Sequence, residues 1–194
     1  MNFMSDTAAP AHPAILEAMV AAAKGPAPSY GSDPWTKSAR EALSKTFETE
    51  VDIWLVSSGT AANALGLSIL CPPHGGVLCH QEAHIQTDER GAPEFYTGGG
   101  KLILLPGAHA RIDLAALKRR LDFNDPNFVH ETPLHVLSLS NLTENGAAYR
   151  PFEIKERAAL AREAGLAVHL DGARLANALV STGATPAEMT WRAG

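Results

Sequence analysis

Cysteine is scarce in this sequence, and two kinds of membrane-directing segment are missing from it. Cys71 and Cys79 are the only cysteines among 194 residues, which excludes a disulfide framework and a four-ligand zinc site built from cysteine alone. No apolar stretch approaches the roughly 18 uninterrupted residues of a membrane-spanning helix. The first residues lack the basic start and the apolar run of a signal peptide. We therefore expect a cytoplasmic protein that does not bind membranes.

Positive charge is also in short supply. Lysine and arginine together number 16 against 21 aspartate and glutamate residues, so the formal net charge is −5. No lysine or arginine cluster offsets this balance, which argues against a nucleic-acid partner. Hydrophobic residues make up 45% of the chain, and this content permits a sizeable core and argues against disorder.

Two glycine-rich phosphate-binding motifs are absent, the Walker loop and the dinucleotide-binding pattern. What the sequence does contain is an alternation of short apolar runs with helical patterns. The predicted strands cover 51–56, 77–80, 101–105, 136–140 and 166–170. The predicted helices cover 13–23, 34–47 and 151–164, one that the segment 57–63 leads into and that ends at 70, and two that begin at 113 and 185. This alternation predicts an α/β fold of three layers, αβα, with a mainly parallel sheet. We expect an N-terminal helix and arm over 1–30 and a large, ligand-binding domain over 31–194.

The segment Ser58-Gly59-Thr60 lies between a predicted strand and a helix start. The first N–H groups of a helix have no partner within the helix and carry partial positive charge, which suits a phosphate group. Gly59 lets the backbone approach a ligand, and the two flanking residues offer hydroxyl groups. The alternative is that Ser58 and Thr60 only cap the helix, since serine and threonine are favoured there.

Asp171 stands at the carboxyl end of the predicted strand 166–170 and is followed by Gly172-Ala173-Arg174. Open α/β sheets bind their ligands at this edge, and a buried carboxylate needs a partner. One interpretation is a carboxylate that faces a protonated ring nitrogen, as in pyridoxal-phosphate sites. The other is an ion pair with Arg174 or a helix cap.

The segment from Cys79 to His84 holds two histidines and a glutamate, yet it indicates no metal site. A zinc protease motif needs glutamate directly after the first histidine, on a helix, and Gln81 occupies that position after a strand. His84 with Glu89 fits a ring-stacking or acid/base pair better, and the alternative is a histidine that is hydrogen-bonded within its loop.

Five motifs occur in an order that resembles the low-specificity L-threonine aldolases of the β-eliminating lyase family, which have the fold-type-I pyridoxal-phosphate architecture. These motifs are Ser5-Asp6-Thr7, Tyr30-Gly31-Ser32-Asp33, Ser58-Gly59-Thr60-Ala61-Ala62-Asn63, Ala83-His84-Ile85 with Glu89, and His169-Leu170-Asp171-Gly172-Ala173-Arg174. The resemblance covers nearly the whole chain and implies pyridoxal 5'-phosphate as the cofactor. It implies that Ser58, Gly59 and Thr60 hold the phosphate, that His84 stacks on the ring and that Asp171 pairs with its nitrogen.

The same resemblance implies roles on the substrate side. Arg174 would lie beside the cofactor and orient an amino-acid substrate, and Ser5 would reach the substrate carboxylate. Tyr30 would come from a neighbouring subunit of a homodimer or homotetramer. Asn141 and Thr143, after the strand 136–140, are further candidates for contacts to the cofactor.

The implied reaction cleaves L-threonine, L-allo-threonine or a related β-hydroxy-α-amino acid to glycine and an aldehyde, with His84 or Glu89 as the base. The family's lysine that binds the cofactor lies on a strand after the Asp-Gly-Ala-Arg helix, and no such strand follows the helix that begins at Thr185. We therefore expect the chain to be a fragment, inactive by itself. Two alternatives remain: another pyridoxal-phosphate lyase that eliminates at Cβ, and an inactive binding or dimerisation module.

Overall fold

The computed structural model describes residues 8, 10–125 and 127–194. The contacts within the chain divide it into two compact units, the first ending at Ile53 and the second covering Trp54–Gly194. The boundary after residue 30 that the sequence predicts is a different division, and it stays a prediction. Among the described residues, none of the helices combines the length and the apolarity needed to cross a membrane.

The first unit contains the helices α1, Pro13–Ala22, and α2, Pro34–Phe47. Both begin with a proline in the first turn, where the missing N–H costs nothing. Asp33 caps α2, and its carboxylate accepts hydrogen bonds from the backbone N–H and the hydroxyl of Thr36, at 2.8 and 2.7 Å. The hydroxyl bond is the main reason that the pKa of Asp33 lies below its ordinary value.

The second unit is built on a parallel sheet of four strands in the order β2-β1-β3-β4. The strands are β1, Gly76–His80; β2, Lys101–Leu105; β3, Leu134–Ser140; and β4, Ala167–Asp171. Ser140 at the end of β3 pairs in register with Asp171 at the end of β4. The carboxyl ends of these two strands therefore meet at one edge of the sheet.

The described part of the second unit also contains seven α-helices. They are α3, Gly59–Leu70; α4, His84–Thr87; α5, Ala92–Tyr96; α6, Leu114–Asp122; α7, Pro151–Glu163; α8, Leu175–Thr182; and α9, Pro186–Met189. Successive strand residues point to opposite faces: Val136 packs in a cluster with Leu67 of α3, whereas Leu137 packs in a cluster with Ile154 of α7. The sheet thus lies between two helical layers, and the predicted αβα fold is confirmed.

One predicted strand is wrong. Residues 51–56 form no strand, and the side chains of Trp54 and Leu55 are 79% and 80% exposed. A short apolar run indicates burial only where another element covers it, and sequence alone does not show what covers it. The other predicted elements are confirmed to within two residues. Helix α8 is the one that the resemblance implies after Asp-Gly-Ala-Arg. The apolar pattern does not indicate the short helices α4 and α5, because one or two turns contain too few apolar positions to show a period.

Candidate active site

The carboxyl edge of the sheet brings together side chains from distant parts of the chain. Asp171 ends β4, Arg174 follows it in the turn before α8, and His84 begins α4 soon after β1. Asn63 enters from the second turn of α3. Open α/β sheets bind their ligands at the carboxyl ends of the strands. These side chains therefore lie where a binding or active site is expected.

Three of these side chains, those of His84, Asn63 and Asp171, form a continuous hydrogen-bonded chain together with Glu89. The Asn63 amide Nδ2 donates to Glu89 Oε1 at 2.8 Å and to Asp171 Oδ2 at 3.1 Å. His84 Nδ1 lies 2.8 Å from the same oxygen of Glu89. We call this His84–Glu89–Asn63–Asp171 chain the polar network. Two carboxylates are joined in it by one amide, and an imidazole forms its outer end.

The polar network is buried except at His84. Asn63, Glu89 and Asp171 are 6%, 3% and 8% exposed, whereas the His84 side chain is 37% exposed. Because a buried carboxylate is costly without partners, the hydrogen bonds from Asn63 are needed to keep both acids in place. Within the described part of the chain, Glu89 Oε2 has no hydrogen-bond partner. Only the imidazole can exchange a proton readily with solvent.

The charge state of His84 depends on its carboxylate neighbours. Burial lowers the pKa of His84, but the hydrogen bond and the charge of Glu89, with smaller contributions from Glu144 and Asp88, raise it above its ordinary value of 6.5. Since Nδ1 faces the Glu89 carboxylate, Nδ1 carries a proton and the neutral ring keeps its lone pair on Nε2. His84 is therefore arranged to accept a proton at Nε2.

We expect a proton titration of His84, followed by NMR, to give a midpoint above 6.5, and the substitution Glu89→Gln to lower it. The raised pKa stabilises the fold below the unfolded-state pKa, and this stabilisation is lost as pH rises through the folded-state value. The control is Glu41→Gln, which removes an exposed carboxylate of the first unit and should leave the His84 midpoint unchanged. If Glu89→Gln leaves the titration midpoint of His84 unchanged, the hydrogen bond to Glu89 is not the cause of the raised pKa.

Arg174 does not pair with Asp171. Its Nη2 lies 2.5 Å from Glu144 Oε2 and donates to the carbonyl oxygen of Leu142 at 3.3 Å. Asp171 instead accepts from Asn63 and, at 3.0 Å, from the backbone N–H of Ala173. The ion pair that the sequence left open for Asp171 is thus replaced by an Arg174–Glu144 pair, and the Asp171 carboxylate has no close cation among the described residues.

The start of α3 combines a helix cap with open space. Ser58 Oγ accepts a hydrogen bond from the backbone N–H of Ala61 at 3.1 Å, so the capping interpretation of Ser58 is confirmed. A Cβ atom added at Gly59 would meet no atom within 4 Å. Ser58 and Gly59 are exposed and Thr60 is half-buried. The positive end of the helix is therefore accessible to an anion, and phosphate binding here stays a prediction.

Of the remaining predicted residues, Asn141 and Thr143 are not part of the polar network. Ser5 lies outside the described residues, and Tyr30, in the first unit, is fully exposed with a left-handed φ of 60°. Asn141 is buried and bonded to both backbone groups of Tyr149, at 3.1 and 3.3 Å. Thr143 donates to the carbonyl oxygen of His109 at 2.9 Å. The side chains of Asn141 and Thr143 hold their own loop in place.

His80, the other histidine of the 79–84 segment, is likewise used locally. Its Nδ1 accepts from the backbone N–H of Glu82 at 3.0 Å, and its Nε2 lies 3.1 Å from the carbonyl oxygen of Gly107. Over the stretch of chain that the structure describes, no three histidine, cysteine or acidic side chains are grouped as metal ligands.

Sequence reasoning missed Asn63 and Glu144 as members of the site. Asn63 closes the motif that begins at Ser58, but an asparagine within a helix has no spacing pattern that marks it as a bridge between two acids. Glu144 lies in a loop between β3 and α7, and its contact with Arg174 spans 30 residues. The only available signal was that Asp171 and Glu89, if buried, each needed a donor.

Comparison with known proteins shows the family of this chain. A sequence model of the family described as beta-eliminating lyase matches residues 2–193. The chain belongs to the beta-eliminating lyase family. It is 39% identical over 194 residues to a low-specificity L-threonine aldolase of Pseudomonas sp. and 31% identical over 195 residues to one of Escherichia coli. These alignments cover 100% and 98% of the chain and 55% of each relative, so the chain spans about half the length of these beta-eliminating lyases.

Solved structures agree with this family. A threonine aldolase from Leishmania major superimposes with a TM-score of 0.84 at 30% identity, covering 91% of this chain and 52% of the other. An N-succinyldiaminopimelate aminotransferase from Mycobacterium tuberculosis superimposes with a TM-score of 0.59 at 19% identity, covering 81% and 40%. The second similarity shows the fold alone. The resemblance that the five motifs indicate is confirmed.

Proposed function

We propose that the protein to which this chain belongs is a pyridoxal 5'-phosphate-dependent aldolase, which cleaves L-threonine, L-allo-threonine or related β-hydroxy-α-amino acids to glycine and an aldehyde. The observation that carries the proposal is the buried polar network from His84 to Asp171, at the ligand-binding edge of a parallel sheet. Its support is the 39% identity to a low-specificity L-threonine aldolase. In this proposal the present chain contributes the residues that face the cofactor ring and phosphate.

The side chains present fit the cofactor. Asp171 is 8% exposed, and among the described residues each of its carboxylate oxygens accepts one hydrogen bond, so the carboxylate keeps lone pairs for a protonated ring nitrogen. A buried negative charge favours the protonated form of that nitrogen. The open start of α3, at Ser58, Gly59 and Thr60, offers N–H groups and hydroxyls to the phosphate. His84 would lie against the ring.

The cofactor, when bound, supplies an electron sink for the breaking of a bond to Cα. The protein's part is to hold that ring charged and to move one proton. In our proposal His84 Nε2 takes the proton of the substrate β-hydroxyl, because Glu89 fixes the other ring nitrogen as a donor. Glu89 is fully buried and bonded to Asn63, so it acts through His84. The 37% exposure of His84 then lets the proton pass to solvent.

Substrate orientation and assembly complete the proposal. Arg174 and Ser5 would bind the substrate carboxylate, and Tyr30 would reach the site of a neighbouring subunit. An exposed apolar groove of about 430 Å³ includes Trp54, Leu55, Leu65 and Ile69, and exposed apolar surface of this kind is typical of subunit interfaces. It supports a homodimer or homotetramer, the state in which Tyr30 can serve a second site.

The test is a product assay on the protein that carries this chain, supplied with pyridoxal 5'-phosphate and L-threonine. The proposal expects equimolar glycine and acetaldehyde. Ammonia with 2-oxobutanoate would instead identify the alternative lyase that eliminates at Cβ. The control is His84→Asn, which keeps a side chain that hydrogen-bonds to Glu89 but removes the titrating ring. General-base catalysis contributes about 10²- to 10⁴-fold, so a His84→Asn turnover equal to that of the unsubstituted protein would assign the base elsewhere.

A further inference from the structure

The residues around Arg174 leave part of the hydrogen-bonding capacity of its guanidinium group unused. Its hydrogen bonds within the described residues, to Glu144 Oε2 and to the carbonyl oxygen of Leu142, both use Nη2. Its Nε is buried and has no hydrogen-bond partner among the described residues. The preferred arrangement of arginine with a carboxylate is a fork of two parallel hydrogen bonds from adjacent nitrogens. The Arg174–Glu144 contact is a single-point pair that leaves half of the Nε and Nη2 edge unused.

The carboxylate of Glu144 likewise uses one of its two oxygens. One oxygen contacts Arg174, and the other, Oε1, is buried without a partner in the described part of the chain. The pair is sheltered, with side-chain exposures of 25% for Arg174 and 19% for Glu144. The loop around it is fixed, because Thr143 bonds to the carbonyl oxygen of His109 and Asn145 to Glu82, each at 2.9 Å. Glu144 is therefore a carboxylate held against a cation by one contact.

We propose that Glu144 is a displaceable carboxylate, which occupies Arg174 until the α-carboxylate of an amino-acid substrate takes its place. The inference rests on the proposed function, in which Arg174 orients the substrate. A free carboxylate can adopt the forked geometry across Nε and Nη2, which the tethered Glu144 side chain does not adopt. The exchange therefore replaces one hydrogen bond by two and gives Nε a partner.

This exchange would make Glu144 a specificity-determining residue. A ligand with a carboxylate can compete for Arg174, whereas an amine without one leaves the Arg174–Glu144 pair intact. The displaced Glu144 carboxylate loses its neutralising cation while it stays near His84, whose pKa it already helps to raise. Substrate binding and the proton affinity of His84 are coupled in this way through a single side chain.

The test uses Glu144→Gln, which keeps the size of the side chain and removes its charge. Glycine is the probe, and the Nε–H resonance of Arg174 in ¹⁵N NMR spectra reports binding. We expect the glycine Kd to fall roughly three- to tenfold, since a partly sheltered ion pair of about 0.7–1.4 kcal/mol no longer competes. The matched control is Glu82→Gln, which removes a neighbouring carboxylate that contacts Asn145 and should leave the Kd unchanged.

A Glu144→Gln Kd that is unchanged or higher would overturn the proposal, as would a fall of the same size in Glu82→Gln, because that would be a general charge effect. Methylamine, which has no carboxylate, should show no difference between the two proteins. The proposed function is tested separately by the product assay. If no glycine forms from L-threonine but Glu144→Gln still tightens glycine binding at Arg174, the aldolase proposal fails and the carboxylate exchange stands.

Discussion

Replacing Asp171 with asparagine should lower turnover of the aldolase reaction by about 10- to 1,000-fold. A carboxylate at close range raises the pKa of a cationic group by about 1–3 units. Without the carboxylate, the protonated fraction of the ring nitrogen falls by up to the corresponding factor of about 10- to 1,000-fold. The asparagine keeps the shape of the side chain, and its single amide oxygen can still accept one of the two hydrogen bonds that Asn63 and Ala173 donate to the two carboxylate oxygens. Its amide nitrogen takes the place of the other oxygen, and no buried charge is left without a partner. The fold should therefore persist while the electron sink is weakened.

The measurements are kcat with L-threonine and, independently of activity, the absorbance spectrum of the bound cofactor, which reports protonation of its ring. Ser138→Ala is a useful control, because Ser138 lies two residues before Ser140, which pairs with Asp171. Among the described residues, the Ser138 hydroxyl hydrogen-bonds to His169 and not to Asp171. Normal turnover in Asp171→Asn, with a thermal midpoint close to that of the unsubstituted protein, would contradict the role given to this carboxylate.

Replacing Asn63 with leucine should lower the free energy of unfolding by about 2–5 kcal/mol. The substitution removes the one amide that donates to both Glu89 and Asp171, and it leaves two buried carboxylates short of a donor. Each unsatisfied buried group costs about 1–3 kcal/mol, and more when it is charged. Leucine has a similar volume, so the loss is not that of a cavity.

Urea denaturation of the chain measures this loss directly. The matched control is Asn145→Leu, since Asn145 also donates to a glutamate, Glu82, but does so at the surface; we expect a change within about 1 kcal/mol there. A second variant, Asn63→Asp, places three acids together and should be worse than leucine. Equal unfolding free energies for Asn63→Leu and Asn145→Leu would show that the amide bridge does not support the buried acids.

Much of the site edge could be predicted from local patterns. The apolar run before Asp171 places this residue at the carboxyl edge of a parallel sheet, and the helical pattern after Ser58 places that residue at the start of a helix. His84 and Glu89 are five residues apart, and a short turn is enough to bring them into contact. In each of these cases the chain itself carries the information, because the interacting groups are close in sequence or are fixed by one element.

What could not be predicted depends on contacts between distant segments. Asn63 and Asp171 are 108 residues apart, and their hydrogen bond exists only because α3 packs across the face of the sheet. The segment 51–56 illustrates the opposite error, since its apolar residues predict a buried strand, whereas the Trp54 side chain is 79% exposed. Hydrophobicity indicates that a residue can be buried, but the neighbouring elements decide whether it is.

Helix α3 fixes a length as well as a position. Its cap, Ser58, lies at the proposed phosphate end of the site, and Asn63 holds the acid at the proposed ring end. Five helical residues advance about 7.5 Å, and each added or deleted residue turns the helix by about 100°. An insertion or deletion between these positions would rotate the amide away from its two acids. The stretch can therefore vary in composition during evolution far more easily than it can vary in number of residues.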